Sequence, residues 1–451
     1  MGRIFLILKS ACFIFNILEE SRMKKLLAVI LAVVMVAAFA ACTKTPVVDD
    51  TNAPADENVE ENANAPADED VEPVPGDLKI GVILVGDDNE GYTYAHIEGI
   101  QKAAKALGIA DEQIIWKYSV PEDETCYEAA LDLADQGCTY VFSNSYGHQS
   151  FIEQAAADVP DVNFVAMTGD TAKDSGLDNF SNAFTKVYES RYISGVVAGM
   201  KLAELIEAGA LSAENFDEDG NAKIGYVGAY PYAEVVSGYT AFFLGIKSVV
   251  PEVAMQVVYT NSWFDITKEG AAAEALMANG CVIIGQHADS TGAPSAIQAA
   301  LEKGTVAYSV GYNVDMLSVA PDAALTSATN NWSVYYTYAL TQAIKGEKIA
   351  TNWAEGYETD AVAITELGAS CAEGTAERVE EAIEAIKAGE LKVFDTDTFT
   401  VGGEHLDSYT SSFGLEGVEL ISDGYFHESD AENVRSAPAF DIRIDGITEL
   451  S

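Results

Sequence analysis

The chain has 451 residues, 49% of them hydrophobic, which is enough for two or three domains with substantial cores and too apolar for wholesale disorder. Its 71 Asp and Glu against 25 Lys and Arg give a formal charge of -46. A field of that sign disfavours nucleic acid and anionic membrane surfaces as partners, because both attract basic patches.

Residues 1–42 read as a leader. Met23-Lys24-Lys25 precedes an uninterrupted apolar run from Leu26 to Ala41, the charged and apolar regions of a secretory signal, and too short for a comfortable membrane span. Phe39-Ala40-Ala41-Cys42 sets small residues directly before a cysteine. That arrangement resembles the lipobox of bacterial lipoproteins and makes Cys42 the expected lipidated residue, the membrane anchor of an exported protein on the extracytoplasmic face of the cell membrane. Met1 to Arg22, broken by Lys9 and Asn16, reads as an upstream false start or as part of the same leader. Cys126, Cys138, Cys281 and Cys371 then remain, and their spacing matches no metal motif. Cys138 and Cys281 open strand-like runs, where free thiols act as small hydrophobes.

Residues 43–77 are dominated by Pro, Ala, Asn, Asp and Glu, with Asn52-Ala53-Pro54-Ala55-Asp56-Glu57 recurring at Asn64-Ala65-Pro66-Ala67-Asp68-Glu69. Such a segment cannot bury enough apolar surface to fold and is expected to be a disordered acidic linker. Its expected root-mean-square reach is roughly 30 Å.

From Leu78 the pattern alternates strand and helix. Strands are predicted at Lys79–Val85, Ile114–Tyr118, Tyr140–Ser143 and Phe164–Met167, and helices at Tyr94–Leu107, Glu124–Asp135 and Gln149–Ala157. The plan then repeats: Lys223-Ile224-Gly225 lies 144 residues after Lys79-Ile80-Gly81, and Gly280-Cys281 lies 143 after Gly137-Cys138. Further strands are predicted near Gln256–Tyr259, Val282–Gly285 and Val306–Ser309, with helices near Lys268–Met277 and Pro294–Leu301. Long helices at Val187–Ile206 and Ser333–Ile344 mark where the chain crosses between lobes.

The expected fold is therefore α/β, with two flavodoxin-like lobes of parallel sheet and the ligand in the cleft between them. Residues 78–182 with 333–391 are expected to form the first lobe and crossover helices, and residues 183–332 most of the second. Residues 392–451 are expected to be a β-rich C-terminal extension.

Ligands of open parallel sheets sit beyond the carboxyl ends of the strands. The loops there offer Asp87, Asp88, Asn89 and Tyr92; Asn144 and Tyr146; Thr168 and Asp170; Tyr230 and Tyr232; Trp263, Phe264 and Asp265; Gln286, His287 and Asp289; Tyr312, Asn313 and Asp315; and Asn330 and Trp332. Aromatics and neutral or acidic hydrogen-bonders dominate, whereas phosphate and carboxylate ligands call for Arg, Lys or a glycine-rich helix N-terminus. A neutral, planar, hydrogen-bonding ligand fits, purines better than sugars. Among these residues, Tyr92, Asn144, Tyr146, Tyr232, Trp263, Asp289, Tyr312, Asp315 and Trp332 are taken as the binding set. Plainer roles compete: Tyr94, Tyr336 and Phe264 as core, Asp265 as a helix N-cap, His287 as packing.

Five ordered segments carry a family resemblance. They are Gly91-Tyr92-Thr93-Tyr94-Ala95-His96, Asn261-Ser262-Trp263-Phe264-Asp265, Gln286-His287-Ala288-Asp289-Ser290, Gly311-Tyr312-Asn313-Val314-Asp315-Met316 and Asn331-Trp332-Ser333-Val334-Tyr335-Tyr336. From about Leu78 to about Leu391 the chain resembles the basic membrane protein (BMP) family of substrate-binding lipoproteins. The resemblance implies a type I periplasmic-binding-protein fold, an ABC permease as partner, and a purine nucleoside, free base or riboflavin as ligand. It also places Tyr92 where the family stacks an aromatic on the base, and Asp289 and Asp315 where acidic side chains read the polar edge. The first loop departs from the nucleoside binders, which carry a Ser-Phe-Asn run there, so a free base stands beside a nucleoside.

An enzyme is not expected. Gly225-Tyr226-Val227-Gly228 lacks the third glycine and the acidic partner of a dinucleotide site, and neither a nucleophile triad nor a phosphate loop occurs, so no cofactor or metal is expected. A lipid-anchored sensory receptor, or a binder of sugars or riboflavin on the same scaffold, is the alternative.

Overall fold

The computed structural model describes residues 73–410, 417–429 and 435–450. The leader, Cys42 and nearly all of the expected linker lie outside them.

The first lobe is built on β1 (Ile80–Ile83), β2 (Ile114–Lys117), β3 (Tyr140–Ser143), β4 (Asn163–Met167) and β5 (Phe180–Thr185). With β11 (Asn352–Glu355) they form one wholly parallel sheet in the order β11-β5-β4-β3-β1-β2. Strand alternation divides the apolar residues between two faces. Ile80 and Val82 face the core that contains α1 (Gly91–Leu107), while Ile83, Val141 and Phe164 face the core that contains α2 (Glu124–Asp135) and α3 (Gln149–Asp158).

The second lobe repeats the design with β6 (Ala222–Gly228), β7 (Val253–Tyr259), β8 (Ile283–Gln286), β9 (Tyr308–Tyr312) and β10 (Ala324–Asn330). Its helices are α6 (Ala233–Lys247), α7 (Ile266–Ala278) and α8 (Gly292–Leu301), after the short α4 (Ala172–Ser175) and the crossover helix α5 (Val187–Glu207). Strand order is β12-β10-β9-β8-β6-β7-β15, with β15 at Ile447–Leu450, and parallel except for β12 (Val362–Ile364) against β10.

The repeated motifs have a physical reading. A Cβ on Gly81 would lie 2.8 Å from Leu133 Cδ1, and one on Gly225 would lie 3.0 Å from Leu276 Cδ1, so glycine lets α2 and α7 lie close on their sheets. The preceding lysines close the C-termini of those same helices: Lys79 Nζ donates to Gln136 O at 2.8 Å, and Lys223 Nζ to Asn279 O at 2.5 Å. Gly137 and Gly280, at φ 88° and 90°, take the left-handed turn that ends each helix. Cys138 and Cys281 follow as buried free thiols.

Three crossings join the lobes. The first enters α5 after β5, and α5 lies so close to α6 that a Cβ on Gly245 would sit 2.1 Å from Tyr192 O. The second leaves β10 for α9 (Trp332–Lys345), which packs on α1 in the first lobe where Gly99 leaves 2.8 Å for a Cβ against Trp332 Cβ. The third runs from β11 to β12. The crossings are tied together: Thr185 hydrogen-bonds Asn330, and the Glu189 carboxylate accepts from Tyr357 N at 2.8 Å.

That third crossing divides the segment 333–391 expected in the first lobe. β11 does join the first sheet, but β12 joins the second and α10 (Thr375–Lys387) packs on α5. The turn at Gly356–Asp360 carries no strong sequence signal, because its close approach to Glu189 arises only in the fold.

The expected β-rich extension differs too. Between 392 and 450 the described strands are only β13 (Ile421–Ser422), β14 (Tyr425–Phe426) and β15 (Ile447–Leu450). The described part of the tail instead packs aromatic rings onto the second lobe: Phe394 stacks on Phe440 with centroids 4.3 Å apart, beside Phe399 and Phe426. β15 completes the second sheet in register Ile447↔Met255 through Leu450↔Val258. Glu449 locks it by accepting from Tyr239 and Tyr259 hydroxyls at 2.8 and 2.7 Å and from Arg443 Nε at 3.0 Å.

Candidate ligand-binding site

The carboxyl ends of both sheets face each other across a cavity of about 330 Å³, near the lower bound of small-molecule sites, about 300–1,000 Å³. The first lobe contributes the β1–α1 loop (Gly86, Asp87, Asn89, Glu90, Tyr92), Ser119, Ser145, Tyr146 and Thr168. The second contributes Glu234, Trp263, Phe264, His287, Asp289 and Tyr312.

The first-lobe wall starts at a helix cap. Glu90 precedes α1, and its two carboxylate oxygens accept from Tyr92 N at 2.9 Å and Thr93 N at 3.0 Å. Burial nonetheless raises its pKa, although the Thr93 and Tyr92 contacts pull the other way. Tyr92 donates its hydroxyl to Asn144 O and meets the edge of His96 at 4.7 Å, which leaves its ring as cavity wall. Thr168 sits at φ 61°, a strained left-handed conformation that brings the β4 end to the cavity.

The second-lobe wall is acidic and aromatic. Asp289 is buried, accepts from Asn313 Nδ2 at 2.8 Å, and has its pKa pushed well up by burial and then by Glu90, Glu269 and Glu234. His287 Nε2 lies 3.2 Å from Glu234 Oε1, and burial, with Arg191 nearby, pulls its pKa down to about 4. The imidazole is therefore neutral at neutral pH. None of the described lining residues is Lys or Arg.

A strong cation sits behind the wall. Arg191, from the first turns of α5, is buried, donates Nη1 to Gln286 O at 2.6 Å, and lies 3.6 Å from the Tyr312 ring centroid. Tyr312 thus separates a guanidinium from the cavity. Strand-end reasoning missed Arg191 because it belongs to a crossover helix. Glu90 and Glu234 were missed for a similar reason: both occupy helix starts, where an acidic residue reads as a cap.

Of the nine expected residues, Tyr92, Tyr146, Trp263, Asp289 and Tyr312 come together around this cavity. Tyr232 stands at its mouth, 47% exposed, stacked on Tyr230 and 6.3 Å from Tyr146 across the cleft. Three are placed elsewhere. Asn144 is buried as a strut, accepting from Val85 N at 2.8 Å and donating to Thr93 Oγ1 at 3.2 Å. Trp332 is core, stacked on His96 at 4.3 Å, because the second crossing turns its ring into the α1–α9 interface. Asp315 is exposed, accepts from its neighbour Leu317 N at 2.9 Å, and borders a separate groove. Asp265 caps α7, accepting from Thr267 N and Lys268 N.

The family model for Bmp, the PnrA-like ABC transporter substrate-binding proteins, matches residues 78–396. The chain belongs to that family. Proteins of this kind are extracytoplasmic and bind a small-molecule ligand and a permease. A purine-binding protein of Brucella abortus (strain 2308) is 31% identical over 353 residues, 76% of this chain and 93% of its own. A putative ABC transporter glucose-binding protein of Haloferax volcanii is 30% identical over 334 residues, 73% of this chain and 77% of its own. The solved ABC transporter solute-binding protein of Aeropyrum pernix K1 superposes with a TM-score of 0.58 at 17% identity, over 73% of this chain and 94% of that one, a likeness of fold alone. No helix among the described residues is long and apolar enough to cross a membrane.

Proposed function

We propose that this chain is the lipid-anchored receptor of an ABC importer for a purine base or nucleoside, held between its lobes with Cys42 as the anchor. The observation that carries the reading is the cavity's chemistry. Aromatic walls from both lobes (Tyr92, Tyr146, Trp263, Tyr312) enclose Glu90, Glu234 and Asp289, and none of the described lining residues is Lys or Arg. A flat ring gains stacking, about 1–3 kcal/mol per base, and its N–H donors meet carboxyl oxygens that otherwise repel one another. An anionic ligand would find no cation among the described lining residues. The name of the Brucella relative supports a purine, and that of the Haloferax relative makes a sugar the second reading.

A thermal-shift screen of nucleobases, nucleosides, riboflavin and monosaccharides tests this, since a ligand that binds only the folded state raises its stability. Adenine, guanine or their nucleosides should raise the melting temperature, and a response to glucose alone would replace the purine reading with the second. For the anchor, Cys42→Ala should move the protein from the membrane fraction to an uncleaved or soluble form; native protein already free of membranes would remove that part.

A further inference from the structure

We infer that Arg435 is a positioning residue for the binding cleft: residues 435–450 strap the second lobe to the first, and Arg435 holds Asp170 of the first lobe and, through it, Tyr146. The match to the family model ends at residue 396, before this segment.

Its root is rigid. Glu428 is buried and its Oε2 accepts from Ala439 N at 3.1 Å and Phe440 N at 2.6 Å, while Phe440 is stacked into the second-lobe core. Beyond it, β15 is fixed in the second sheet. Arg435 is held by its own segment, Nε donating to Ala437 O at 3.1 Å and Nη2 to Pro438 O at 2.8 Å. The guanidinium then reaches across, Nη2 lying 3.3 Å from Asp170 Oδ2 with 7% and 16% of the two side chains exposed. Ala437 packs into the first lobe's apolar cluster beside it.

Asp170 is the handle of the cavity rim. Gln149 grips it twice, donating Nε2 to Oδ1 at 2.9 Å and accepting from Asp170 N at 2.8 Å. Tyr146, which lines the cavity, points its hydroxyl at Asp170 Oδ2 at 3.5 Å and faces Tyr232 of the second lobe. The loop also carries Thr168, another lining residue. A cation rooted in one lobe and paired with the other resists opening, and a pair this buried is costly to break from one side.

The inference rests on the ligand lying in this cleft, but its first test does not need the ligand. Small-angle scattering of the ligand-free mature chain should give a larger radius of gyration for Arg435→Gln and Asp170→Asn than for the native protein, with Arg435→Lys in between. With adenine or adenosine as probe, stopped-flow dissociation should be about tenfold faster or more in Arg435→Gln. The double variant should add little, and Arg435→Lys should restore part of the native rate. A merely structural role would lower the melting temperature and leave dissociation and radius unchanged, and that result would overturn the inference. Failure of both probes to bind the native protein would count against the purine reading, while the scattering comparison still decides the strap.

Discussion

Two aromatic residues from the same pair of motifs have opposite fates, and substitution separates them. Tyr92 offers its ring to the cavity, so Tyr92→Ala should weaken purine binding by about 1–3 kcal/mol, one to two powers of ten, with Tyr92→Phe near native. Isothermal calorimetry measures this, and native affinity in the alanine variant would remove the stacking role. Trp332 is sandwiched between His96 and Phe184 in the first-lobe core. Trp332→Ala should cost about 3–5 kcal/mol of stability, visible as a melting temperature several degrees lower, while the protein that remains folded keeps its ligand affinity within a few-fold. Both residues stand in motifs that resemble the family's, so motif membership alone did not tell contact from core. His96 Nδ1, 2.8 Å from the Tyr336 hydroxyl, shows why: these segments also encode the α1–α9 packing.

The crossings concentrate the unusual chemistry at the level of elements. Glu189, at the start of α5, is buried, and burial lifts its pKa from 4.5 to about 7 despite the Tyr357 N–H it accepts. A carboxyl raised in this way binds its proton more tightly when folded, so its contribution is fully present below about pH 4.5 and is lost as pH rises through about 7. The native protein should therefore lose more melting temperature between pH 5 and pH 8 than Glu189→Gln does; equal slopes would place the shift elsewhere. The third crossing was also the least legible part of the sequence. Strands β1, β3, β4, β6 and β8 were readable because buried parallel strands are continuous apolar runs, and the Lys-Ile-Gly repeat disclosed the second lobe through its helix-closing lysine and close-packing glycine. β12, three residues long, and β15, with two exposed positions, have no such run. Asp315 looked like a ligand contact because it follows a strand, but the backbone at Asn313, φ 61°, turns the chain so that its carboxylate serves a local turn. Asn313 itself supports Asp289 instead.

At the scale of the whole molecule, two rigid lobes joined by three tied crossings should move as bodies about them. Saturating purine should shrink the radius of gyration, and an unchanged profile despite calorimetric binding would remove the clamshell motion. The second sheet has a further consequence, one of timing. Its strand β7 finds an edge partner only in β15, with Ile447 opposite Met255, so 192 residues of chain must be made before that edge is covered. Pairings so distant in sequence form late, because the entropy of closing the intervening loop comes due before any contact repays it. The second lobe thus cannot finish folding on a partly synthesised chain. Until residues 447–450 have been made, that edge of the sheet stays open to pairing with another strand.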